Sequence, residues 1–183
     1  MLKKIKNLLR KFLEKLFTPI FREVGDLTDL MILHSSVSRL QRHPNPFCKY
    51  GKKYFSQSDE DGITLEILKR LDLKNGVFAE FGVGDGLENN TLILIADGWR
   101  GFWVGGEELA FEIPPVTKRF QYLRRWITVE NIINYTKEGL TAIKESELDV
   151  ISLDLDGNDI YLVDAVLGAG YKPHLFIVEY NAK

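Results

Sequence analysis

Three glycines at alternate positions follow an apolar, strand-like stretch, and they are the feature of this sequence best suited to binding a ligand. They are Gly82, Gly84 and Gly86, in the segment VFAEFGVGDGLENN at residues 77–90. Glycines spaced in this way let the backbone approach a nucleotide-like ligand closely. The segment lacks the G-x-G-x-x-G spacing of dinucleotide-binding loops. Because Glu80 inside the strand would repel a pyrophosphate, the pattern favours a ligand with a cationic amino-acid part.

A second group of acids follows a later apolar stretch, in SLDLDGNDIY at residues 152–161. Asp154 and Asp156 are predicted at the end of one strand, and Glu179 and Asn181 at the end of the next. Since adjacent parallel strands end at the same edge of a sheet, we expect these side chains to lie together. Oxygen ligands of this kind suit Mg²⁺. Two alternatives stay open: a metal-free site in which Asp154 or Asp156 acts as a general base or orients the substrate, and a structural role in which Asp159 caps the next helix.

Several segments in order resemble one enzyme family. FAEFGVGDG looks like motif I of class I S-adenosylmethionine-dependent methyltransferases. FSQSDEDGI, ADGWRGFWV, DVISLDLDGNDIY and FIVEYNA are similar to the FkbM-like branch of that family, which is linked to methylation of sugar or polyketide hydroxyls and to surface-glycan pathways. The resemblance covers roughly residues 54–183. It implies an enzyme that transfers a methyl group to a hydroxyl of a small-molecule or glycan substrate.

The resemblance also implies roles for individual residues. The backbone at Gly82, Gly84 and Gly86 would pass close to the methionine part of S-adenosylmethionine. Glu80 and Asp85 would face or orient its ammonium group.

At the second cluster, Asp154 and Asp156 are the predicted catalytic residues. Metal-dependent sugar and catechol O-methyltransferases place an Asp at the end of the corresponding strand. By this comparison Asp154, Asp156 and Asn181 would hold Mg²⁺, which would bring the substrate hydroxyl to the methyl group.

One position departs from the family pattern. Family members tend to have an acid that binds the ribose hydroxyls where this chain has Gly105, in FWVGGEEL. We expect Glu107, two residues later, to substitute for it. Losing the contact outright would cost about 1.5–3 kcal/mol. The departure supports an alternative interpretation, in which the chain is a non-catalytic binding or scaffold module with a methyltransferase-like fold.

Apolar runs alternate with helical patterns from residue 56 onward. They predict an α/β, Rossmann-like, doubly wound and mostly parallel sheet. Strands are predicted at GVFAEFG, RGFWVGGE, RRWITVE, LDVISLDLD and PHLFIVEY. The three tryptophans are predicted to be core residues rather than platforms for a sugar, because each lies in or beside an apolar strand. The resemblance implies two further strands, so the fold looks shortened after the fifth. Three explanations stay open: the chain is a truncated product, a second subunit covers the open edge, or the N-terminal helix covers it.

Charge is distributed unevenly along the 183 residues. The whole chain carries −2, whereas residues 1–24 have seven bases and two acids, or +5, which leaves −7 for the remainder. An acidic body is a poor partner for nucleic acid. The single cysteine, Cys48, fits a cytoplasmic location. No apolar run reaches the length of a membrane span.

The sequence predicts three segments. Residues 1–24 form a basic amphipathic helix, residues 25–55 connect it, and residues 56–183 form the methyltransferase-like domain. Two interpretations of the helix stay open. Its apolar stripe packs on its own domain or on a second subunit, or it lies on the anionic inner face of a membrane as a peripheral anchor.

Overall fold

A computed structural model describes residues 27, 31, 43–114, 118–157 and 159–180 of the chain. The chain divides into two units, Met1–Lys49 and Tyr50–Lys183. In the first unit, Leu27 and Met31 are helical and exposed, and the predicted amphipathic helix at residues 1–24 lies outside the described residues. A short 3₁₀ turn spans Cys48–Tyr50.

Five parallel strands form one sheet within the described residues. They are β1 Val77–Phe81, β2 Arg100–Gly105, β3 Phe120–Arg124, β4 Val150–Leu153 and β5 Leu175–Val178. Their order is β3-β2-β1-β4-β5, so the winding direction reverses between β1 and β4. The prediction of an α/β, Rossmann-like parallel sheet is therefore confirmed.

The described residues of the second unit form four α-helices, of which the first precedes β1 and the other three follow β1, β3 and β4. They are α1 Glu60–Arg70, α2 Leu92–Ala96, α3 Ile132–Ile143 and α4 Asp159–Gly168. None of these described helices has the length and apolar character that crossing a membrane requires.

The sheet separates two apolar layers, and successive residues of β1 enter different ones. Phe81 packs on one face with residues of α3 and α4, such as Ile132 and Leu162. Phe78 packs on the other face with Leu68 of α1 and with α2. Because the central strands are covered on both sides, they read in the sequence as continuous apolar runs.

The third strand was predicted at residues 124–130, and this prediction is wrong. β3 spans Phe120–Arg124 and pairs with β2 from Gly101 to Gly105. The last backbone bond of this pair joins the Arg125 N–H to the Gly105 carbonyl oxygen at 2.8 Å. Since β2 ends at Gly105, the apolar residues that follow have no strand to pair with and form a loop.

The second unit begins at Tyr50, earlier than the predicted start of the domain at residue 56. The segment before α1 bonds to the buried carboxylate of Asp61 in the first turn of that helix. Its Oδ2 accepts the backbone N–H groups of Tyr54, Phe55 and Ser56 at 2.8, 2.6 and 2.8 Å. These bonds tie the segment before α1 to the domain.

Candidate functional site

A cavity of about 610 Å³ lies at the carboxyl ends of β1 to β4. Ligands of open α/β sheets bind at this edge, beside the point where the winding reverses. The volume is in the range of small-molecule sites. The cavity is lined by Gly82, Val83, Gly84, Gly105, Gly106, Glu107, Arg125, Trp126, Ile127, Thr128, Val129, Glu130, Asp154, Leu155, Asp156 and Leu162.

Two of the three predicted glycines line this cavity, for different physical reasons. Gly82 has a φ of +94°, and a Cβ there would collide with the carbonyl oxygen of Asp154. Glycine at 82 therefore allows the loop after β1 to pass close to the end of β4. Among the residues that the structure describes, a Cβ at Gly84 would meet nothing within 4 Å, and the φ of Gly84 lies outside the left-handed region. Backbone at Gly84 thus faces open cavity space.

Gly86 and Asp85 are not among the cavity-lining residues. Gly86 is buried with a φ of +86°, and a Cβ there would lie 2.9 Å from Leu109 and 3.1 Å from Trp103. The Asp85 carboxylate accepts the Leu87 N–H at 3.0 Å, which is turn chemistry. Both residues shape the loop.

Glu80 was predicted to face a ligand ammonium group, but its neighbours in the structure are internal. The residue is 2% exposed and does not line the cavity. Its Oε1 accepts the Asn90 N–H at 3.0 Å, and its Oε2 accepts both the Thr91 N–H at 3.0 Å and the Thr91 hydroxyl at 2.5 Å. The Trp103 indole N–H in turn donates to that hydroxyl at 2.7 Å.

Burial raises the pKa of the Glu80 carboxyl, and hydrogen bonds from Thr91, Asn89 and Asn90 act in the opposite direction. The register explains why the side chain is internal, because Glu80 stands beside Trp103 on β2 and Ser152 on β4. Glu80 therefore fixes Asn90 and Thr91, which follow the glycine loop, to the sheet.

Gly105 occupies a place where no larger side chain fits. A Cβ there would collide with the carbonyl oxygen of Val83. The cause is the path of the loop after β1, whose Gly82 and Val83 N–H groups donate to the Val104 carbonyl oxygen at 3.0 and 3.2 Å. Glu107, the predicted substitute, is exposed and lines the same cavity as Gly82 and Gly84.

The acids after β4 and β5 lie together, as the parallel-strand argument expects. Asp154 and Asp156 both line the cavity. The Asp154 side chain hydrogen-bonds that of Glu179, whose N–H donates to the Leu153 carbonyl oxygen at 3.0 Å. Although Asp154 is exposed as a residue, its carboxyl is partly withdrawn from solvent. This desolvation, followed by repulsion from Glu179 and the other nearby acids, raises the pKa of Asp154 to about 6.

Asp159 holds the turn that presents these acids. It is 3% exposed and accepts the Leu155 N–H at 2.9 Å and the Gly157 N–H at 3.1 Å. Between them, Asp156 has a left-handed φ of +55°. In place of the helix cap that the structural alternative expected, Asp159 is the first residue of α4 and braces the turn that precedes the helix.

The predicted Mg²⁺ site has limited support. Among the residues that the structure describes, no group of three or more His, Cys, Asp and Glu side chains is arranged to hold a metal ion. Asn181, the third predicted ligand, lies outside the described residues. A metal at Asp154 and Asp156 stays a prediction.

Sequence reasoning missed the loop at residues 125–130, which forms one wall of the cavity. Trp99 and Trp103 are buried, as predicted, but Trp126 is 79% exposed, so its assignment to the core is wrong. The error follows from the misplaced third strand.

The cavity is strongly acidic. Glu107, Glu130, Asp154 and Asp156 line it, and Arg125 is the only base among the described lining residues. Arg125 is itself paired with Glu138 at 3.2 Å. Such a surface favours a cationic or neutral ligand over a phosphorylated one.

In comparisons with known proteins, no family model, no curated protein and no solved structure matches the chain.

Proposed function

We propose that this chain is an S-adenosylmethionine-dependent O-methyltransferase of the class I, FkbM-like kind, acting on a hydroxyl of a glycan or related small molecule. The observation that carries the proposal is the open space in front of Gly84. Its backbone borders a cavity at the winding reversal of the sheet, and none of the described residues requires glycine there. A ligand that packs against this backbone would explain why residue 84 has no side chain.

The charge of the cavity supports a sulfonium ligand. S-adenosylmethionine is cationic at both its sulfonium and its ammonium group, and the lining carboxylates complement it. Glu107 would accept hydrogen bonds from the ribose hydroxyls in place of an acid at 105. A backbone carbonyl of the lining would take the ammonium group that the resemblance assigns to Glu80.

Asp154 is the residue best suited to accept a proton. A pKa of about 6 places it nearer to neutral pH than an ordinary carboxyl, so it is ionised at pH 7 yet more basic than usual. In methyl transfer, the S-adenosylmethionine S–CH₃ bond breaks as the new O–CH₃ bond forms, which leaves a neutral thioether. The hydroxyl proton would pass to Asp154. Asp156, on the same turn, would orient the acceptor.

The glycine at position 105 favours the alternative, a non-catalytic binding or scaffold module. Because Val83 excludes any side chain at 105, an acid cannot occupy the usual ribose-binding position. If Glu107 does not replace it, cofactor binding would be weak or absent.

Cofactor titration by calorimetry tests the proposal. Wild-type protein is expected to bind S-adenosylmethionine with micromolar affinity. Gly84→Ala should weaken binding by about tenfold or more, since its Cβ would fill the space next to the ligand. Gly168→Ala is the matched control, because a Cβ at Gly168 in α4 also meets nothing within 4 Å and it is not a cavity-lining residue.

Two further arms complete the experiment. Binding heats measured with and without Mg²⁺ test the metal prediction at Asp154 and Asp156. Release of S-adenosylhomocysteine in the presence of glycosides tests methyl transfer and should fall in Asp154→Asn. Absence of S-adenosylmethionine binding under all conditions would refute the proposal and favour the non-catalytic module.

Location and assembly are part of the same proposal. We place the enzyme in the cytoplasm, with contact to the inner face of the membrane, or to a second copy of the chain, through residues 1–24. Deleting residues 1–21 and measuring both sedimentation with anionic vesicles and oligomeric state separates these two uses of the segment.

A further inference from the structure

The strand β5 has the sequence of an interior strand but the exposure of an edge strand. Its residues, LFIV, are all apolar. The strands β1, β2 and β4 are also mostly apolar, and they are almost completely buried. In β5, by contrast, the first three residues are only partly buried and Val178 is exposed. Because a continuous apolar run is typical of a strand that is covered on both faces, β5 has apolar surface left to bury.

The backbone of β5 is paired on one side only among the described residues. β5 pairs with β4, and the Leu175 and Glu179 N–H groups donate to carbonyl oxygens on the β4 side at 3.1 and 3.0 Å. Since the backbone groups of successive residues in a strand point to opposite sides, Phe176 and Val178 direct their N–H and C=O groups away from β4. These two residues therefore present hydrogen-bond donors and acceptors at the outer edge of the sheet.

The opposite edge of the sheet is protected, whereas the edge at β5 is not. β3 ends in Arg124, which pairs with Glu108 at 3.8 Å, and the Tyr122 hydroxyl on the same strand donates to the Glu107 carbonyl oxygen at 2.6 Å. Charged side chains and covering segments of this kind keep an edge strand from pairing with other chains. β5 contains no charged residue and no proline. Its edge therefore remains suited to pairing with another strand.

We propose that β5 pairs antiparallel with β5 of a second copy of this chain, which joins the two sheets into one. A strand can pair with a copy of itself about a two-fold axis, so both copies use the same surface. The antiparallel arrangement also brings opposite charges together, because Lys172 precedes the strand and Glu179 follows it. This interface is independent of the proposed function.

The outward backbone groups fix the register of the pairing. With Ile177 opposite Ile177 of the second copy, Phe176 lies opposite Val178 of the second copy, and the reverse pair forms by symmetry. Each of these pairs exchanges two backbone hydrogen bonds. A register centred on Phe176 would place Val178 opposite His174, whose N–H already donates to the Asp149 carbonyl oxygen at 2.8 Å. The register centred on Ile177 therefore pairs both outward-facing residues within the strand.

The helix α4 adds apolar surface beside the same edge. It contacts β4 and leads directly into β5. Ile160, Tyr161 and Leu167 of α4 are 67%, 64% and 47% exposed, and a helix that is apolar on most sides is typically buried. In the proposed register the two-fold axis is perpendicular to the sheet, so the α4 helices of both copies lie on the same face. A dimer would thus have more apolar surface to bury than two short strands supply.

Cross-linking tests the register directly. In a Cys48→Ser background, an introduced cysteine is the only thiol of the chain. Ile177→Cys would place two thiols at a non-hydrogen-bonded pair whose Cα atoms are about 4.5 Å apart, within reach of a disulfide. Val178→Cys is the matched control, because this position is more exposed but its two copies would be about 8 Å apart.

The two cysteine variants are oxidised with glutathione disulfide and compared on non-reducing gels. Ile177→Cys is expected to form a covalent dimer, and Val178→Cys is expected to remain a monomer on the gel. Equal cross-linking of the two variants, or none in Ile177→Cys, would overturn the proposal.

Sedimentation velocity on the full chain gives a second measurement that needs no cysteine. The wild-type chain should form a species of twice 21.0 kDa. Val178→Lys buries a charge opposite Phe176 of the second copy and should raise the dimer dissociation constant about tenfold or more. Leu71→Lys is the control, because Leu71 at the end of α1 is 44% exposed and Val178 is 39% exposed. A monomeric wild type, or equal dissociation constants for all three proteins, would refute the interface whether or not S-adenosylmethionine binds.

Discussion

Replacing Asp154 with asparagine is expected to change how the stability of the protein depends on pH. The pKa of Asp154 rises from 3.8 to about 6 on folding, because the carboxyl loses solvent and lies among Glu179 and other acids. The folded state therefore binds this proton more tightly than the unfolded state. The contribution of protonated Asp154 to the free energy of unfolding is therefore fully present below about pH 4 and is lost as the pH rises through about 6.

The magnitude follows from the shift. About two pH units at about 1.4 kcal/mol each give roughly 3 kcal/mol as an upper limit. Asp154 stands at an exposed strand end, where solvent screens its neighbours, so about 1 kcal/mol is a more realistic value. Asp154→Asn removes the ionised carboxylate and should stabilise the protein by about this amount at pH 7.5. Little or no such gain is expected at pH 4.

Urea unfolding at both pH values measures the effect. Glu179→Gln should give a similar gain at pH 7.5, and the double variant should gain less than the sum, because either change relieves the same repulsion. Asp164→Asn on α4 removes an exposed acid elsewhere and serves as the control. A gain for Asp154→Asn that is equal at both pH values, or equal to that of the control, would show that the carboxyl is not perturbed by its neighbours.

Two further substitutions test how the cavity is built. In urea unfolding, Glu80→Gln should lower the free energy of unfolding by about 1–3 kcal/mol, because an amide cannot accept all the buried donors that bond the carboxylate. The control is Glu107→Gln at an exposed position, which should leave the free energy of unfolding unchanged. Gly105→Ala should lower the free energy of unfolding by about 1–3 kcal/mol or more, since its Cβ collides with the Val83 carbonyl oxygen. Gly84→Ala should lower it only slightly. Unfolding midpoints equal to wild type for Glu80→Gln or Gly105→Ala would contradict the internal roles described here.

The sheet could be predicted from the sequence because burial on both faces leaves a simple signal. β1, β2 and β4 are almost completely buried and read as short apolar runs between helical patterns. The position of the cavity followed from the same reasoning, since ligand sites of such sheets lie at the carboxyl ends of the strands. The outward half of β3 carried no such signal, because residues 121–124 are only partly buried or exposed. The apolar residues just after it were therefore mistaken for the strand.

Contacts between segments distant in sequence could not be predicted. Whether an acid in a strand faces a ligand or an internal donor depends on which residues the neighbouring strands place beside it. For Glu80 those neighbours are Trp103 and Ser152, and the loop returns Thr91 to the carboxylate. Likewise, nothing in FWVGGEEL indicates that the Val83 carbonyl oxygen fills the space beside Gly105.

The glycine loop shows why spacing alone is an ambiguous indicator of a ligand. Gly82 is required because the Asp154 carbonyl oxygen lies against it, and Gly86 because its φ is left-handed and its surroundings are packed. Both would be glycine in a protein that bound nothing. Gly84 differs from both, since neither its φ nor any neighbouring atom requires the absence of a side chain. Folding accounts for two of the three glycines, so Gly84 is the one for which the proposed cofactor would give a reason. Gly84→Ala is therefore the substitution in which stability and binding are expected to separate.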